Sequence, residues 1–188
     1  LRAEKGQCHL YKADVYRHAR GIKFIVIPPV TLNTNFDFDN DFKSAAREYK
    51  KALGPELYIA AIRSYQGDDG KRLFRIEQMA EQLGIAMVAT NDIHYHNRDR
   101  RELQDILTCI REKCTIYNAG FRLFANAERY MKPVKEMIRL FRQYPDAIKR
   151  TREIASACTF TLDSLEYIYP EEITSGGRSP QEELTSLT

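Results

Sequence analysis

The sequence predicts an α/β fold in which the strands are parallel. Three short apolar runs, at residues 23–27, 57–62 and 85–90, have the length and composition of buried strands. Each run is followed by a stretch in which apolar residues recur at helical spacing. Strands that alternate with helices in this way are typical of successive βα units, whose strands lie parallel in one sheet.

The first βα unit begins at Lys23, and Pro28-Pro29 ends its apolar run. Because the run is continuously apolar, we expect a strand that is buried on both faces. The helix that follows is predicted from residues that share one face, namely Phe42, Ala45, Ala46, Tyr49 and Leu53. Gly54-Pro55 is a typical signal for its end.

The second and third units repeat this pattern. After the strand at 57–62, the segment Gly67-Asp68-Asp69-Gly70 predicts a turn and a helix N-cap. One face of the next helix carries Leu73, Ile76, Ala80 and Leu83. After the strand at 85–90, we expect Asn97 to cap a helix that carries Leu103, Ile106, Leu107 and Ile110.

The last third of the sequence predicts two short helices opened by Pro133 and Pro145, and then an irregular linker at residues 159–177. Ser179-Pro180-Gln181-Glu182 has the form of a capping box, so we expect a new helix to start there. The chain begins without Met and stops about two turns into that helix. We therefore expect it to be an internal piece of a longer protein.

Composition excludes several classes of protein. The chain has 188 residues, 43% of them hydrophobic, and a formal net charge of +3, which excludes a disordered or fibrous protein. It has neither an apolar stretch of membrane-spanning length nor a secretory leader, so we expect a soluble, cytoplasmic protein without a membrane partner. The four cysteines form no CxxC pair, and we expect reduced thiols.

Charge is distributed unevenly along the chain. Residues 98–153 contain fourteen Lys and Arg against eight Asp and Glu. Such an excess suits contacts with phosphate groups, but the solvation of helix faces is the more common explanation of a charge run and is favoured by this count alone. Both interpretations stay open at this point.

Candidate chemistry is concentrated in Thr90-Asn91-Asp92-Ile93-His94-Tyr95-His96, directly after the third predicted strand. In parallel α/β folds, ligands gather at the carboxyl ends of strands. Residues two apart in an extended segment project the same way, so Asp92 and His94 can converge on one divalent ion, with His96 third in that row. A catalytic metal needs at least three protein ligands, so the others must come from elsewhere. The alternative is a hydrogen-bonded loop in which His96 is exposed.

Other polar or reactive residues predict no further site. The spacing of Cys109 and Cys114 does not bring thiolates together as metal-binding pairs require, so we expect both in the core. The acidic segment 67–70 is a poor phosphate cradle, and no P-loop or dinucleotide fingerprint occurs.

Two segments of the chain read GIAMVATNDIHYH at 84–96 and LQDILTCIR at 103–111. They resemble the PHP domain of bacterial DNA polymerase III alpha subunits. Four more look like the error-prone, translesion branch of that family: RSYQGDD at 63–69, GFRL at 120–123, NAERY at 126–130 and YIYPEE at 167–172. These segments are distributed between residues 63 and 172, and the resemblance extends over most of the chain.

The resemblance implies an α/β fold that forms the later part of a distorted PHP-type β/α barrel with parallel strands, followed by a small helical region. Residues 1–118 would be a partial PHP domain, 119–160 a helical transition region, and 161–188 a linker and the start of the polymerase core. The parent would be an error-prone DNA polymerase, a nucleotidyltransferase that acts on DNA in replication and damage-tolerant repair synthesis. Its palm carboxylates and their Mg²⁺ would lie beyond Thr188.

For the candidate site, the resemblance places Asp92 and His94 in the last metal-binding motif of the PHP domain. They would hold Zn²⁺ or Mn²⁺ for phosphodiester hydrolysis, as in a 3′–5′ exonuclease or a stand-alone phosphoesterase. One departure favours a non-catalytic domain that braces the polymerase. Ser64, a poor ligand, stands where many relatives have His.

The resemblance also suggests partners. The basic residues that would face the DNA backbone in the parent are Arg139, Arg142, Lys149 and Arg150. The other polymerase domains are expected partners. Because an incomplete barrel leaves strand edges bare, a homodimer of the fragment is a further expectation.

Overall fold

The computed structural model describes residues 3–166 and 177–188. It divides into two compact units, of which the first ends at Ala157 and the second runs over Cys158–Thr188. The proposed domain limits at residues 118 and 160 stay predictions.

Three parallel strands form the sheet of the first unit. They are β1 (Phe24–Val26), β2 (Leu57–Ile62) and β3 (Ala86–Thr90), in the order β1-β2-β3. Val26 pairs with Ile59, and Ile59 pairs with Met87, so the three side chains lie in one row across the sheet. The predicted parallel α/β architecture is confirmed, whereas closure into a barrel stays a prediction.

Helices connect and cover the strands. The first unit contains α1 (Lys12–Arg17), α2 (Asn40–Leu53), α3 (Asp69–Leu83), α4 (Arg101–Arg111), α5 (Val134–Leu140) and α6 (Pro145–Ala157). The predicted end of α2 is confirmed, and α3 ends in the same way, because Gly54 and Gly84 follow these helices with positive φ angles of 60° and 62°. Glycine tolerates this conformation because it has no Cβ.

One hydrophobic core joins the sheet to its helices. Its largest fully buried side chains are Phe38, Phe141, Ile59, Leu73 and Ile76. Burying a side chain of this kind contributes about 1.5–3 kcal/mol. Phe141 follows α5 and Ala147 lies in α6, so these two helices complete the same core.

Strand β1 differs from its prediction. It has three residues, and Ile25 is 41% exposed, so the expected burial on both faces is wrong. Phe24 and Val26 pack against the core, whereas Ile25, between them, projects to the other face. The apolar run predicts burial on both sides, but the described residues cover only one side of this edge strand.

Helix α4 also departs from a typical βα unit. A 3₁₀ turn at Arg98–Arg100 precedes it, and Asn97 lies at the N-cap position of this turn without a side-chain cap hydrogen bond. The N-cap residue of α4 is Arg100, so the prediction that Asn97 caps the helix is wrong. The predicted apolar face exists but is largely exposed, and its members are Leu103, Ile106, Leu107 and Ile110. Instead, α6 packs along β3, the other edge strand of the described sheet.

The second unit contains a 3₁₀ turn at Leu162–Ser164 and helix α7 (Pro180–Leu187). The predicted capping box is confirmed, because the Ser179 side chain accepts from the Glu182 N–H and the Glu182 carboxylate accepts from the Ser179 N–H. The YIYPEE motif at 167–172 and residues 173–176 of the predicted linker lie outside the described residues. Among the described residues, no helix is long and apolar enough to cross a membrane.

Candidate functional site

The strand-end loop, defined as residues 91–96, follows β3 at the carboxyl edge of the sheet. Asp92 has a φ of 44°, in the left-handed region that non-glycine residues rarely adopt. Asp, Asn and His tolerate this conformation better than other residues. The segment is therefore not extended at Asp92.

Asp92 and His94 lie close together, although Asp92 does not have the extended conformation on which the prediction depends. The Asp92 Oδ1 atom lies 3.5 Å from the His94 Nε2 atom, and about a third of each side chain is exposed. His96 is exposed and borders the same shallow groove as His94. The structure thus places two potential ligands together at an accessible position.

Arg129 occupies the other side of the Asp92 carboxylate. Its Nη1 atom lies 3.1 Å from Asp92 Oδ2, and the Arg129 side chain is only 13% exposed. The guanidinium carbon lies 3.6 Å from the centroid of the Phe124 ring, a cation–π contact. Phe124 also contacts the His94 ring in a T-shaped arrangement, with the centroids 4.9 Å apart and the ring planes at 67°. One aromatic ring therefore orients both neighbours of Asp92.

The chain segment that carries Arg129, residues 128–132, is here called the bracing segment. It pairs with the strand-end loop through a parallel bridge between Tyr95 and Tyr130. The His94 N–H donates to the Arg129 carbonyl at 2.8 Å, and the Met131 N–H donates to the Tyr95 carbonyl at 3.0 Å. These main-chain bonds fix the position of Arg129 opposite Asp92.

A buried lysine connects the bracing segment to the end of β3. The Lys132 side chain is fully buried, and its Nζ donates to Asn91 Oδ1 at 3.1 Å and to the Glu128 carbonyl. Glu128 Oε2 lies 3.3 Å from the same Nζ. The Asn91 amide also donates to the Tyr130 carbonyl. A buried ammonium is tolerated only when it is paired and hydrogen-bonded in this way.

Tyr130 extends the network to helix α5. Its hydroxyl donates to Glu136 Oε2 at 2.6 Å. This hydrogen bond, together with burial, raises the pKa of Tyr130 to about 12. The bracing segment is therefore anchored both to the sheet and to the first of the two core-completing helices.

The end of β2 is held by the same part of the chain. The Asn126 amide donates to the Ser64 carbonyl at 2.7 Å, and Arg63 Nη1 donates to the Leu140 carbonyl at 2.8 Å. Ser64 is buried. The position at which the resemblance notes a missing histidine thus serves as a backbone anchor.

Asp92 and His94 do not by themselves form the predicted metal site. In residues 3–166 and 177–188, no group of three or more His, Cys, Asp and Glu side chains is placed to hold a metal ion. Asp92 and His94 supply two ligands, and a guanidinium already neutralises the carboxylate. Zinc and manganese sites require more ligands than this pair provides.

The predicted nucleic-acid contacts have protein partners in several cases. Arg139 Nη2 donates to the Tyr65 hydroxyl at 3.3 Å, and Lys149 pairs with Asp146 at 2.9 Å. Arg150 Nη1 donates to the Met87 carbonyl of β3 at 3.0 Å, which ties α6 to the sheet. Arg142 is exposed. Their role toward DNA stays a prediction.

The amino-acid sequence of the chain is similar to that of known polymerases. No family model matches the chain. An error-prone DNA polymerase from Brucella abortus biovar 1 is 42% identical over 186 residues, or 98% of this chain. Those from Rhodopseudomonas palustris (strain BisB5) and Caulobacter vibrioides are 42% and 41% identical over 189 and 188 residues. The chain is homologous to a segment of the error-prone DNA polymerases. It spans only 16–17% of the length of these relatives.

Sequence reasoning missed the residues that lie around Asp92. Arg129, Glu128 and Tyr130 occur in the NAERY motif, which indicates a resemblance but assigns no role. Their contacts join positions that are far apart in the sequence, so local periodicity gives no signal for them. The only available signal was the motif itself, because charged and aromatic residues cluster in it.

Proposed function

We propose that this chain is the PHP-domain region of an error-prone DNA polymerase and that it acts as a structural brace. The observation that carries the proposal is the Arg129–Asp92 ion pair, which supplies a cation to the carboxylate from within the chain. Strand-end carboxylates in catalytic sites remain open to a metal ion or substrate. In this loop, the carboxylate instead helps to hold the bracing segment.

The surrounding contacts support a bracing role. Main-chain bonds join the strand-end loop to residues 128–132, Lys132 is buried against Asn91, and Tyr130 reaches Glu136 on α5. These contacts connect β3 to the helices that follow it. Such a network makes one rigid body from two stretches that are distant in the sequence.

The proposed parent catalyses template-directed nucleotidyl transfer on DNA, during replication and damage-tolerant repair synthesis. This proposal rests on the names of the homologues. In it, the palm carboxylates with their Mg²⁺ belong to other parts of the polymerase, and the present segment contributes stability and domain position. DNA and the remaining polymerase domains are its proposed partners.

The 3.5 Å separation of Asp92 and His94 favours a second candidate, a metal-dependent phosphodiesterase or exonuclease site. Further ligands would then have to come from parts of the polymerase outside this chain, and Arg129 would have to leave the carboxylate. The basic side chains of α5, α6 and the turn between them would suit a nucleic-acid substrate, namely Arg139, Arg142, Lys149 and Arg150.

The test uses a full-length error-prone DNA polymerase that contains this segment, with Asp92→Asn and His94→Gln compared with the unmodified enzyme. Primer extension, exonuclease activity and thermal stability are measured on the same preparations. A bracing role predicts a lower melting temperature for Asp92→Asn, with primer extension retained below that temperature. Loss of a metal-dependent exonuclease activity at unchanged melting temperature would overturn the proposal in favour of the second candidate.

A further inference from the structure

The carboxyl end of α4 closes in a turn that begins at Cys109 and ends at Cys114. The Cys114 N–H donates to the Cys109 carbonyl at 3.0 Å, and the Lys113 N–H donates to the Ile110 carbonyl at 3.2 Å. Lys113 between them has a φ of 51°. This nested pair of hydrogen bonds with a left-handed residue is a Schellman motif, in which Lys113 takes the position that glycine usually occupies.

A contact between the first and last side chains frequently accompanies a Schellman motif, and here both side chains are cysteines. Cys109 is buried, whereas Cys114 is half-buried. Burial, and next a hydrogen bond with the Cys114 side chain, raise the pKa of the Cys109 thiol. The two thiols are therefore neighbours, although five positions separate them in the sequence.

We propose that Cys109 and Cys114 form a reversible disulfide site that is oxidised by low-molecular-weight disulfides such as oxidised glutathione. The more accessible Cys114 loses its proton to solvent and attacks one glutathione sulfur. The glutathione disulfide bond breaks, one glutathione thiolate leaves, and a mixed disulfide remains on Cys114. Cys109 then loses its proton and attacks the Cys114 sulfur, which releases the second glutathione. Two protein thiols are oxidised and one glutathione disulfide is reduced to two thiols.

The turn geometry makes the second step intramolecular. Because the Schellman hydrogen bonds already hold the two residues together, ring closure requires little loss of chain entropy. The product fixes the end of α4 to the 3₁₀ turn at Ile116–Asn118 that follows. Cys8 and Cys158 are both exposed and serve as internal controls for unselective oxidation.

The experiment treats the 188-residue chain with oxidised glutathione, blocks free thiols under denaturing conditions and digests the protein with trypsin without reduction. Cleavage after Arg101, Arg111, Lys113 and Arg122 places the two cysteines on separate peptides, 102–111 and 114–122. Mass spectrometry then shows a disulfide between Cys109 and Cys114 as a linked peptide pair that a reductant separates. We expect this pair to be the main disulfide product.

Matched variants make the result specific. Cys114→Ser should abolish the linked pair and leave Cys109 free of glutathione, whereas a Cys8→Ser/Cys158→Ser variant should form it at the unmodified level. Mixing ¹⁵N-labelled and unlabelled chains before oxidation should give linked pairs of uniform label only. A glutathione adduct at Cys114 without the linked pair, or pairs of mixed label, would overturn the proposal. Circular dichroism of Cys114→Ser before oxidation confirms that the fold is retained.

Discussion

Arg129 Nη1 lies 3.1 Å from Asp92 Oδ2, so a cation of the chain itself contacts the carboxylate that the sequence assigns to a metal ion. The guanidinium is held there by the Phe124 ring and by main-chain bonds between the bracing segment and the strand-end loop. The relationship accounts for the position of a charged loop at the edge of the sheet without any external ligand.

Replacing Arg129 should destabilise the first unit. Arg129→Met keeps the side-chain length but removes both the ion pair and the cation–π contact, so we expect a loss of about 1–2 kcal/mol in the free energy of unfolding. Arg129→Lys keeps the charge and should lose less. Urea unfolding followed by circular dichroism measures both variants, and equal stability of Arg129→Met and the unmodified chain would contradict the assignment.

Lys132 should be much more sensitive than its exposed neighbour Lys135. Lys132→Met leaves Asn91 Oδ1 and Glu128 Oε2 without the ammonium, whereas Glu128 Oε1 keeps its ion pair with Arg98. Because the loss still leaves buried polar atoms unpaired, we expect a cost of about 3 kcal/mol. Lys135→Met is the matched control, because the Lys135 side chain is exposed and the substitution should change stability by at most about 0.5 kcal/mol. Chemical denaturation of the two variants in parallel gives the comparison. Similar midpoints would show that Lys132 is not a buried anchor.

Alkaline pH should weaken the contact between the bracing segment and α5. The folded-state pKa of Tyr130 is raised to about 12, above the ordinary tyrosine value of about 10. Its contribution to stability is therefore complete below about pH 10 and is lost as the pH rises through about 12.

Tyr130→Phe should remove the contribution of Tyr130 to the pH dependence of stability. In a titration followed by tyrosinate absorbance, the variant should also show one tyrosine fewer among those that ionise at high pH. The exposed Tyr117→Phe controls for the loss of a chromophore. If the absorbance of Tyr130→Phe and of the unmodified chain rose identically at high pH, the prediction would be contradicted.

Two isoleucines distinguish the core from the exposed face of α4. Ile76 is fully buried, and Ile76→Ala should cost about 2–5 kcal/mol because it leaves a cavity. Ile110 is 68% exposed, and Ile110→Ala should change the free energy of unfolding by at most about 0.5 kcal/mol. Thermal unfolding of both variants tests this. Equal losses would mean that α4 is packed against the rest of the chain.

The sequence predicted the sheet because each of its strands has a local signal. The run at 57–62 became β2 with the predicted bounds, and Gly54 ends its helix as expected. Exposure was less predictable. The apolar residues of β1 and α4 indicate burial, yet Ile25 and Ile110 are exposed, because burial depends on what covers a face and not on the face alone.

The candidate site was predictable only in part. The spacing of Asp92 and His94 after a strand predicted that they would meet, and they do, although the segment is not extended at Asp92. The role of Arg129 could not be predicted, since its contact with Asp92 depends on a long-range pairing of loops. The contact between Cys109 and Cys114 was also missed, because the sequence gives no signal for a lysine in the left-handed position that turns the chain back.

Metal content tests the central claim most directly. The chain and its Asp92→Asn/His94→Gln variant are incubated with Zn²⁺ or Mn²⁺, dialysed without chelator and analysed by mass spectrometry for metal per chain. If Arg129 serves as the cation for Asp92, both proteins should retain the same low, substoichiometric metal. Stoichiometric metal in the unmodified chain that is lost in the variant would contradict the account and establish Asp92 and His94 as ligands.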